Sequence, residues 1–466
     1  LDVPRPELTV SVFPSNADMD NIRAQINGAP ADLLDTTAGR IRFRPAADLP
    51  VGVHEVEVTV TPNAMYSDLS PVTLTGIFCN KQPASRITFR SDGIMLVNGN
   101  PMFPIGAYRD PSDREDTFDG LLEAGFDVTH SYGMDNRAIK EPEQRKTYLE
   151  AAHTNGIGVF LGMPRSMVRE RKTTELARYV AETMDTPGLL AWYQFDEPEI
   201  QNCTSEDLMA TYRAISAVDP FHPKITLVCS IRRPVSDQFK RYAAGCDVFW
   251  EDPYPLPDKP LTMVEDKILA SCEAAGPGKP VWCVLQGHSA AAWKAWRGLE
   301  MKSKRSDETI AAMRATGTVP ATRPSPAETR CMAHLAVAAG AKGLVWYWSP
   351  NCCVHVKEDS PEIWAGIKAA VKEFRGLMPW LLAEPTPGDR LQVPSPLRCW
   401  SRLTDGKRVI VLINPEETPV SVPATQLPQI VHEATSAQNA GLEVSSGNWT
   451  FAPHHVAVLK TAGISR

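Results

Sequence analysis

Three rhythms of apolar and polar positions follow one another along the chain. From the first residue to about residue 85, apolar residues alternate with polar ones: Leu8, Val10 and Val12, then Ile41 and Phe43, then Val56, Val58 and Val60 against Glu55, Glu57 and Thr59. A period of two marks strands with one buried face, and turn signals such as Asn27-Gly28 separate them. Residues 1–85 are therefore predicted to form an immunoglobulin-like β-sandwich. No charged or aromatic cluster there suggests chemistry, so it reads as a structural or positioning module.

A lead-in hairpin around the turn Asn98-Gly-Asn-Pro101 opens the second region, predicted to span 86–378. Here apolar runs at 105–108, 126–131, 157–162, 189–195, 224–230, 247–250, 281–286 and 344–348 alternate with helical spacing. Leu176, Val180 and Met184 recur every fourth residue, Asn155-Gly156 and Gly340 stop helices, and Ser325-Pro-Ala-Glu328 is a capping box with proline at the first helical position. Eight strands alternating with helices over about 275 residues is the rhythm of a (β/α)8 TIM barrel, an α/β fold whose chemistry sits at the carboxyl ends of its strands. A doubly wound sheet is the competitor, but no Gly-x-Gly-x-x-Gly follows the first strand. The third region, 386–466, returns to period two, with Asp405-Gly406 as a hairpin turn, and reads as a small C-terminal β-sandwich.

Composition narrows the function classes. The 466 residues carry 48 basic and 55 acidic side chains, a net charge of −7, with no basic run to track a nucleic-acid backbone. The longest nearly uncharged stretch, at 331–341, is too short to cross a bilayer. Ten cysteines lack the spacing of a disulfide scaffold, and Cys352-Cys353 are adjacent rather than spaced as metal ligands. Neither a metal nor an organic cofactor is expected. The chain starts at Leu1 without a basic or apolar leader, which fits a secreted or periplasmic protein with its signal peptide removed. Nothing in the sequence sets the oligomeric state.

The strand ends carry the candidate chemistry. Strand one ends in Tyr108-Arg109-Asp110, strand two in His130-Ser-Tyr132, strand three in Met163-Pro-Arg165, strand four in Asp196-Glu197-Pro198-Glu199, strand six in Trp250-Glu251-Asp252-Pro-Tyr254, strand seven in Gln286-Gly-His288 and strand eight in Trp346-Tyr-Trp348. Carboxylates, hydroxyl-reading polar groups and aromatic platforms on one rim suit a sugar, which has apolar C–H faces and many hydroxyls. A carbohydrate partner is predicted, with contacts from Arg109, His130, Tyr132, Glu251, Asp252, Tyr254, Gln286, His288, Trp346 and Trp348.

The turn Val97-Asn-Gly-Asn-Pro-Met-Phe-Pro-Ile-Gly106, the acidic tip of Trp192-Tyr-Gln-Phe-Asp-Glu-Pro198 and the tryptophan ending strand eight resemble the clan of barrel-fold retaining glycoside hydrolases. The resemblance covers the barrel and implies that Glu197 is the acid/base and that strand seven supplies a nucleophilic glutamate. Here the chain departs, because Pro280-Val-Trp-Cys-Val-Leu-Gln286 places an amide at that point. Three accounts follow. In the first, a substrate 2-acetamido oxygen attacks the anomeric carbon. Asp196-Glu197 is similar to the pair of barrel-fold β-N-acetylhexosaminidases and β-N-acetylgalactosaminidases, which implies Asp196 as orienter of the acetamido group and Glu197 as acid/base. Tyr254 or Gln286 would then donate to the acetamido oxygen, with Trp346 and Trp348 as walls. In the second, a glycosidase acts on neutral sugars through Glu197 with Glu251 or Asp252 as nucleophile or as the base for an inverting water. In the third, the barrel binds glycans without cleaving them.

Overall fold

The computed structural model describes residues 8–11, 22–37, 40–61, 70–108, 118–130, 141–288, 324–348, 356–438, 441–445 and 447–461. Its centre is a closed parallel barrel of eight strands: Ile105–Ala107, Val128–His130, Gly158–Gly162, Leu189–Asp196, Lys224–Val228, Val248–Glu251, Val281–Gln286 and Leu344–Tyr347, numbered one to eight below. Strand one closes the ring on strand eight through Ile105 opposite Leu344 and Ala107 opposite Trp346. Side chains fill the interior: Phe160, Trp250 and Trp282 pack with ring centroids 5.3 to 5.7 Å apart, among Val128, Ile225 and Val345. Gly106 lets strands one and two meet, since a Cβ there would stand 2.2 Å from the Val128 carbonyl oxygen.

Helices cover the outside. The one at Pro326–Ala338 starts on the expected capping box, with Ser325 Oγ accepting from the Glu328 N–H and Glu328 Oε2 accepting from the Ser325 N–H at 2.7 Å. A three-stranded hairpin sheet at Ile87–Phe89, Met95–Val97 and Asn100–Met102 precedes the barrel. Its turn, Asn98-Gly99, has both residues at positive φ, as do Asn27-Gly28 and Asp405-Gly406. Asn-Gly and Asp-Gly pairs supply that geometry at low cost, and it matches the twist of the strands they join.

Before the barrel, six antiparallel strands enclose Ile22, Ile26, Ile41, Phe43, Val56 and Val58. After it, a four-stranded and a three-stranded sheet face each other over Ile410, Leu412, Trp449 and Phe451. Arg178 reaches Glu55 at 2.7 Å across the first junction, and Arg398 reaches Glu265 at 2.5 Å across the second. No helix among the described residues is long and apolar enough to cross a membrane.

Candidate active site

Strand four carries the acids. Its register against strand five slips between Tyr193 and Phe195, and this irregularity brings Tyr193 and Asp196, three residues apart, to the same face. The Tyr193 hydroxyl donates to Asp196 Oδ1 at 2.7 Å and lies 3.1 Å from the Tyr108 hydroxyl. Arg165, opening the helix Arg165–Arg169 after strand three, donates Nη2 to Asp196 Oδ2 at 2.8 Å and Nη1 to Gln201 Oε1 at 2.7 Å. Asp196 is thus an ion-paired carboxylate with both oxygens oriented.

Glu197 leaves the strand at φ +48°, a left-handed conformation that costs a side-chain-bearing residue about 1–3 kcal/mol. Its N–H still reaches the Leu227 carbonyl of strand five at 3.0 Å. Burial pushes its carboxyl above the ordinary range. The charges of Asp196 and Glu199 add to the rise, while hydrogen bonds with the Cys229 thiol and Gln201 oppose it. Glu199 clamps this loop, its Oε1 accepting from the N–H groups of Cys229 and Ser230 at 2.7 and 3.0 Å and from the Ser230 hydroxyl at 3.1 Å.

Strand six divides its two acids between two layers. Val248 and Trp250 point into the barrel and Phe249 into the helix layer, so alternation sends Glu251 outward as well. There Lys267, from the helix Thr262–Ala275, donates to Glu251 Oε1 at 2.8 Å. Burial pushes the Glu251 carboxyl up to about 8, with the Lys267 charge working against it. Glu251, expected as a sugar contact or catalytic partner, is instead a tie between barrel and helix. Asp252 faces the other way. One oxygen each of Asp252 and Glu197 and the Cys229 sulfur lie within 4.8 Å of one another, which among the described residues is the grouping able to hold a metal ion. Burial, then the charge of Glu197, pushes the Asp252 carboxyl well above its usual range.

The remaining expected contacts divide in the same way. Gln286 spends its amide on backbone: Nε2 donates to the carbonyls of Leu256 at 3.1 Å and His288 at 3.0 Å, and Oε1 accepts from the Leu256 N–H at 3.0 Å. It shapes the strand-six loop and has no donor left for an acetamido oxygen. Trp346 and Trp348 face the helix layer, packed 6.0 and 6.3 Å from Phe126, with Trp348 also 5.9 Å from Trp364; they do not wall the mouth. Tyr347 between them points inward, 5.3 Å from Tyr108 and stacked 6.0 Å from Tyr254. Tyr254 and His288 meet edge to face at 4.9 Å, and burial holds His288 neutral by lowering it to about 4. His130 packs 4.1 Å from Tyr193 and is lowered to about 3, first by burial and then by the Arg165 charge. Arg109 and Tyr132 lie outside the described residues, as does the segment 289–323.

The structure thus joins Asp196, Glu197, Asp252, Tyr254, His130 and His288 at one end of the barrel, brings in Tyr108, Arg165 and Tyr347 from the same strand ends, and adds Tyr193 and Cys229. Tyr347 was available to the alternation argument as the residue opposite in face to the two tryptophans. Tyr193 was not, because strict period two places it on the face opposite to Asp196.

No protein-family model matches the chain, and no curated protein matches it. Solved structures do. One is described as a glycoside hydrolase, at 13% identity over 82% of this chain and 98% of that one, with a TM-score of 0.49. A family 39 glycoside hydrolase from the gut symbiont Bacteroides cellulosilyticus WH2 is 11% identical over 96% of each chain, with a TM-score of 0.45. An α-amylase from Geobacillus thermoleovorans, complexed with acarbose, is 11% identical over 76% of this chain and 93% of that one, with a TM-score of 0.44.

Proposed function

We propose that the chain is a glycoside hydrolase that releases a terminal β-linked N-acetylhexosamine, of gluco or galacto configuration, using the acetamido oxygen of the substrate as nucleophile. The observation that carries this reading is the division of labour between neighbouring carboxyls on strand four. Asp196 is held as an oriented carboxylate by Arg165 and Tyr193, whereas burial raises the proton affinity of Glu197 beside it.

In this mechanism Glu197 gives its proton to the glycosidic oxygen as the bond to the anomeric carbon breaks, and the acetamido oxygen forms the new bond to that carbon. Asp196 accepts the acetamido N–H and stabilises the positive charge developing on the cyclic oxazolinium. Glu197, now ionised, takes a proton from the water that opens the ring, restoring the amide and retaining the anomeric configuration. Gln286 at the strand-seven tip is consistent with this path, since an amide cannot supply the attacking carboxylate. Tyr108, Tyr254 and Tyr347 pack together and give this end of the barrel an aromatic lining, which suits the apolar C–H surface of a sugar ring.

One observation favours a second reading. One oxygen each of Glu197 and Asp252 approach within 4.8 Å, closer than the about 6.5–9.5 Å that an inverting pair leaves for its water. Against it stands the raised proton affinity of Asp252, which disfavours the ionised form a nucleophile needs. A panel of aryl glycosides separates the two. Release from 2-acetamido sugars but not from their 2-hydroxy counterparts is expected; comparable release from both would install Asp252 as nucleophile. No release from any sugar would leave a glycan-binding barrel.

A further inference from the structure

A cavity of about 360 Å³ lies away from the mouth, where the residues flanking the start of barrel strand eight meet the C-terminal sandwich. Phe103 and Lys342 come from the barrel side, and Leu391, Trp400 and Arg402 from the sandwich side, with the exposed Arg390 at the rim. Its charges do not balance. Asp92 accepts from Arg90 Nε at 2.7 Å and Nη2 at 2.8 Å, and Asp389 accepts from Arg408 Nη1 at 2.8 Å and the Thr386 N–H at 2.6 Å. Both acids are therefore already matched. Lys342 Nζ has only Asp92 Oδ2 at 3.9 Å in ion-pair range among the described residues. Arg402 gives one N–H to the Ser401 carbonyl at 2.8 Å and has no carboxylate in range among the described residues.

The carbonyls of Ala336 and Val337 already accept from the N–H groups of Ala341 at 2.9 Å and Gly340 at 3.0 Å. Burial pulls the Lys342 ammonium below its ordinary range, against the opposing charge of Asp92 and together with those of Arg402 and Arg90; burial does the same to Arg402, against the charges of Asp389 and Asp92. Two half-buried cations in one cavity without matched counter-charges cost free energy that an anion would recover.

We propose that this cavity binds a small organic anion, its oxyanion head held by Lys342 and Arg402 and its apolar body lying against Phe103, Leu391 and Trp400. A guanidinium presents two parallel donors to a carboxylate or phosphate, and the space falls at the small end of the range of about 300–1,000 Å³ used by small-molecule sites. Because the walls come from both domains, the ligand fastens the sandwich to the barrel. The site is independent of the reaction proposed above.

Titration calorimetry on the full chain, with phenyl phosphate and inorganic phosphate as probes, tests this. Phenyl phosphate is expected to bind saturably at one site, more tightly than inorganic phosphate, and to lose about tenfold or more in affinity in Arg402→Gln and in Lys342→Gln, the worth of one charge-assisted hydrogen bond. Absence of binding, or binding unchanged in both variants, overturns the proposal, and equal affinity for the two probes removes the apolar body from it. Thermal melting without ligand supplies the control. Lys342→Met is expected to melt at or above the parent temperature, since the charge it removes is desolvated, repelled by Arg402 and Arg90 and opposed only by Asp92 at 3.9 Å; a clear fall would overturn the charge accounting.

Discussion

Barrel strands four and six end almost alike, in Asp196-Glu197-Pro198 and Glu251-Asp252-Pro253, yet the fold uses the two acid pairs differently. On strand four both carboxyls belong to the mouth, because the register slip beside Tyr193 turns Asp196 inward and the left-handed Glu197 swings the next carboxyl toward strand five. On strand six the pleat stays regular, so Glu251 goes outward to Lys267 and only Asp252 reaches the mouth. Two adjacent acids at a strand tip therefore do not define a site. The local backbone decides how many of them share a face.

Variants at the two tips test this contrast. Glu197→Gln carries the largest expected effect, a fall in turnover of about 10² to 10⁴-fold, the range general acid–base assistance supplies, and smaller with an activated aryl leaving group that needs no proton. Turnover of an unactivated substrate at the parent rate would remove Glu197 from the chemistry. Asp196→Asn is expected next, at about 10²-fold in kcat on 2-acetamido substrates, comparable to losing one preorganised electrostatic contact to the transition state. Asp252→Asn should cost tenfold or less on this ~1.4 kcal/mol scale. If Asp252→Asn proves as damaging as Glu197→Gln while Asp196→Asn is mild, strand six supplies the catalytic partner and the acetamido mechanism fails.

The contrast also explains what was legible in the sequence. All eight barrel strands could be read because their apolar runs are bounded by helix stops and capping residues, and these signals are local: Ser325 and Glu328, or Asn98 and Gly99, act within four residues of each other. Period-two alternation places Trp346 and Trp348 on one face, and both do pack against Phe126. It did not say whether that face met the mouth or the helices, because period two fixes relative direction and only contacts with the rest of the barrel, here Phe126 and Trp364, fix absolute direction. The partners of Glu251 and Gln286 were hidden for the same reason. Lys267 lies 16 residues from Glu251 and Leu256 lies 30 from Gln286, and nothing in the intervening sequence marks either pairing.

Lys267→Met probes strand six as a structural tie. Removing the ammonium leaves a fully buried carboxyl without its donor, at an expected cost of about 1–3 kcal/mol in unfolding free energy, with kcat per folded molecule little changed. A loss of kcat in a stable Lys267→Met protein would return Glu251 to the catalytic machinery.

The smallest expected effect is a dependence on pH. The Glu251 carboxyl stands near 8 in the folded chain, against 4.5 for the free side chain. Between those values the folded state holds a proton that the unfolded chain has released, so stability falls as pH rises through the window. The buried histidines act with the opposite sign lower down. His130 near 3 and His288 and His455 near 4, against 6.5 when free, add stability as pH rises through 6.5, where each is still half protonated in the unfolded chain, and little beyond about 7.5. Above about 7.5 the carboxyl effect stands clear of them, and Lys267, raised from 10.5, stays charged throughout. Denaturant unfolding is therefore expected to show about 0.5–1 kcal/mol less stability at about pH 8.5 than at about pH 7.5, since one proton is worth up to about 1.4 kcal/mol per pH unit and the folded carboxyl itself ionises across this range. Glu251→Gln should flatten the slope but not abolish it, because Glu197 and Asp252 are raised as well. A slope unchanged in Glu251→Gln would assign the whole effect to the mouth and leave the strand-six tie without a titrating group.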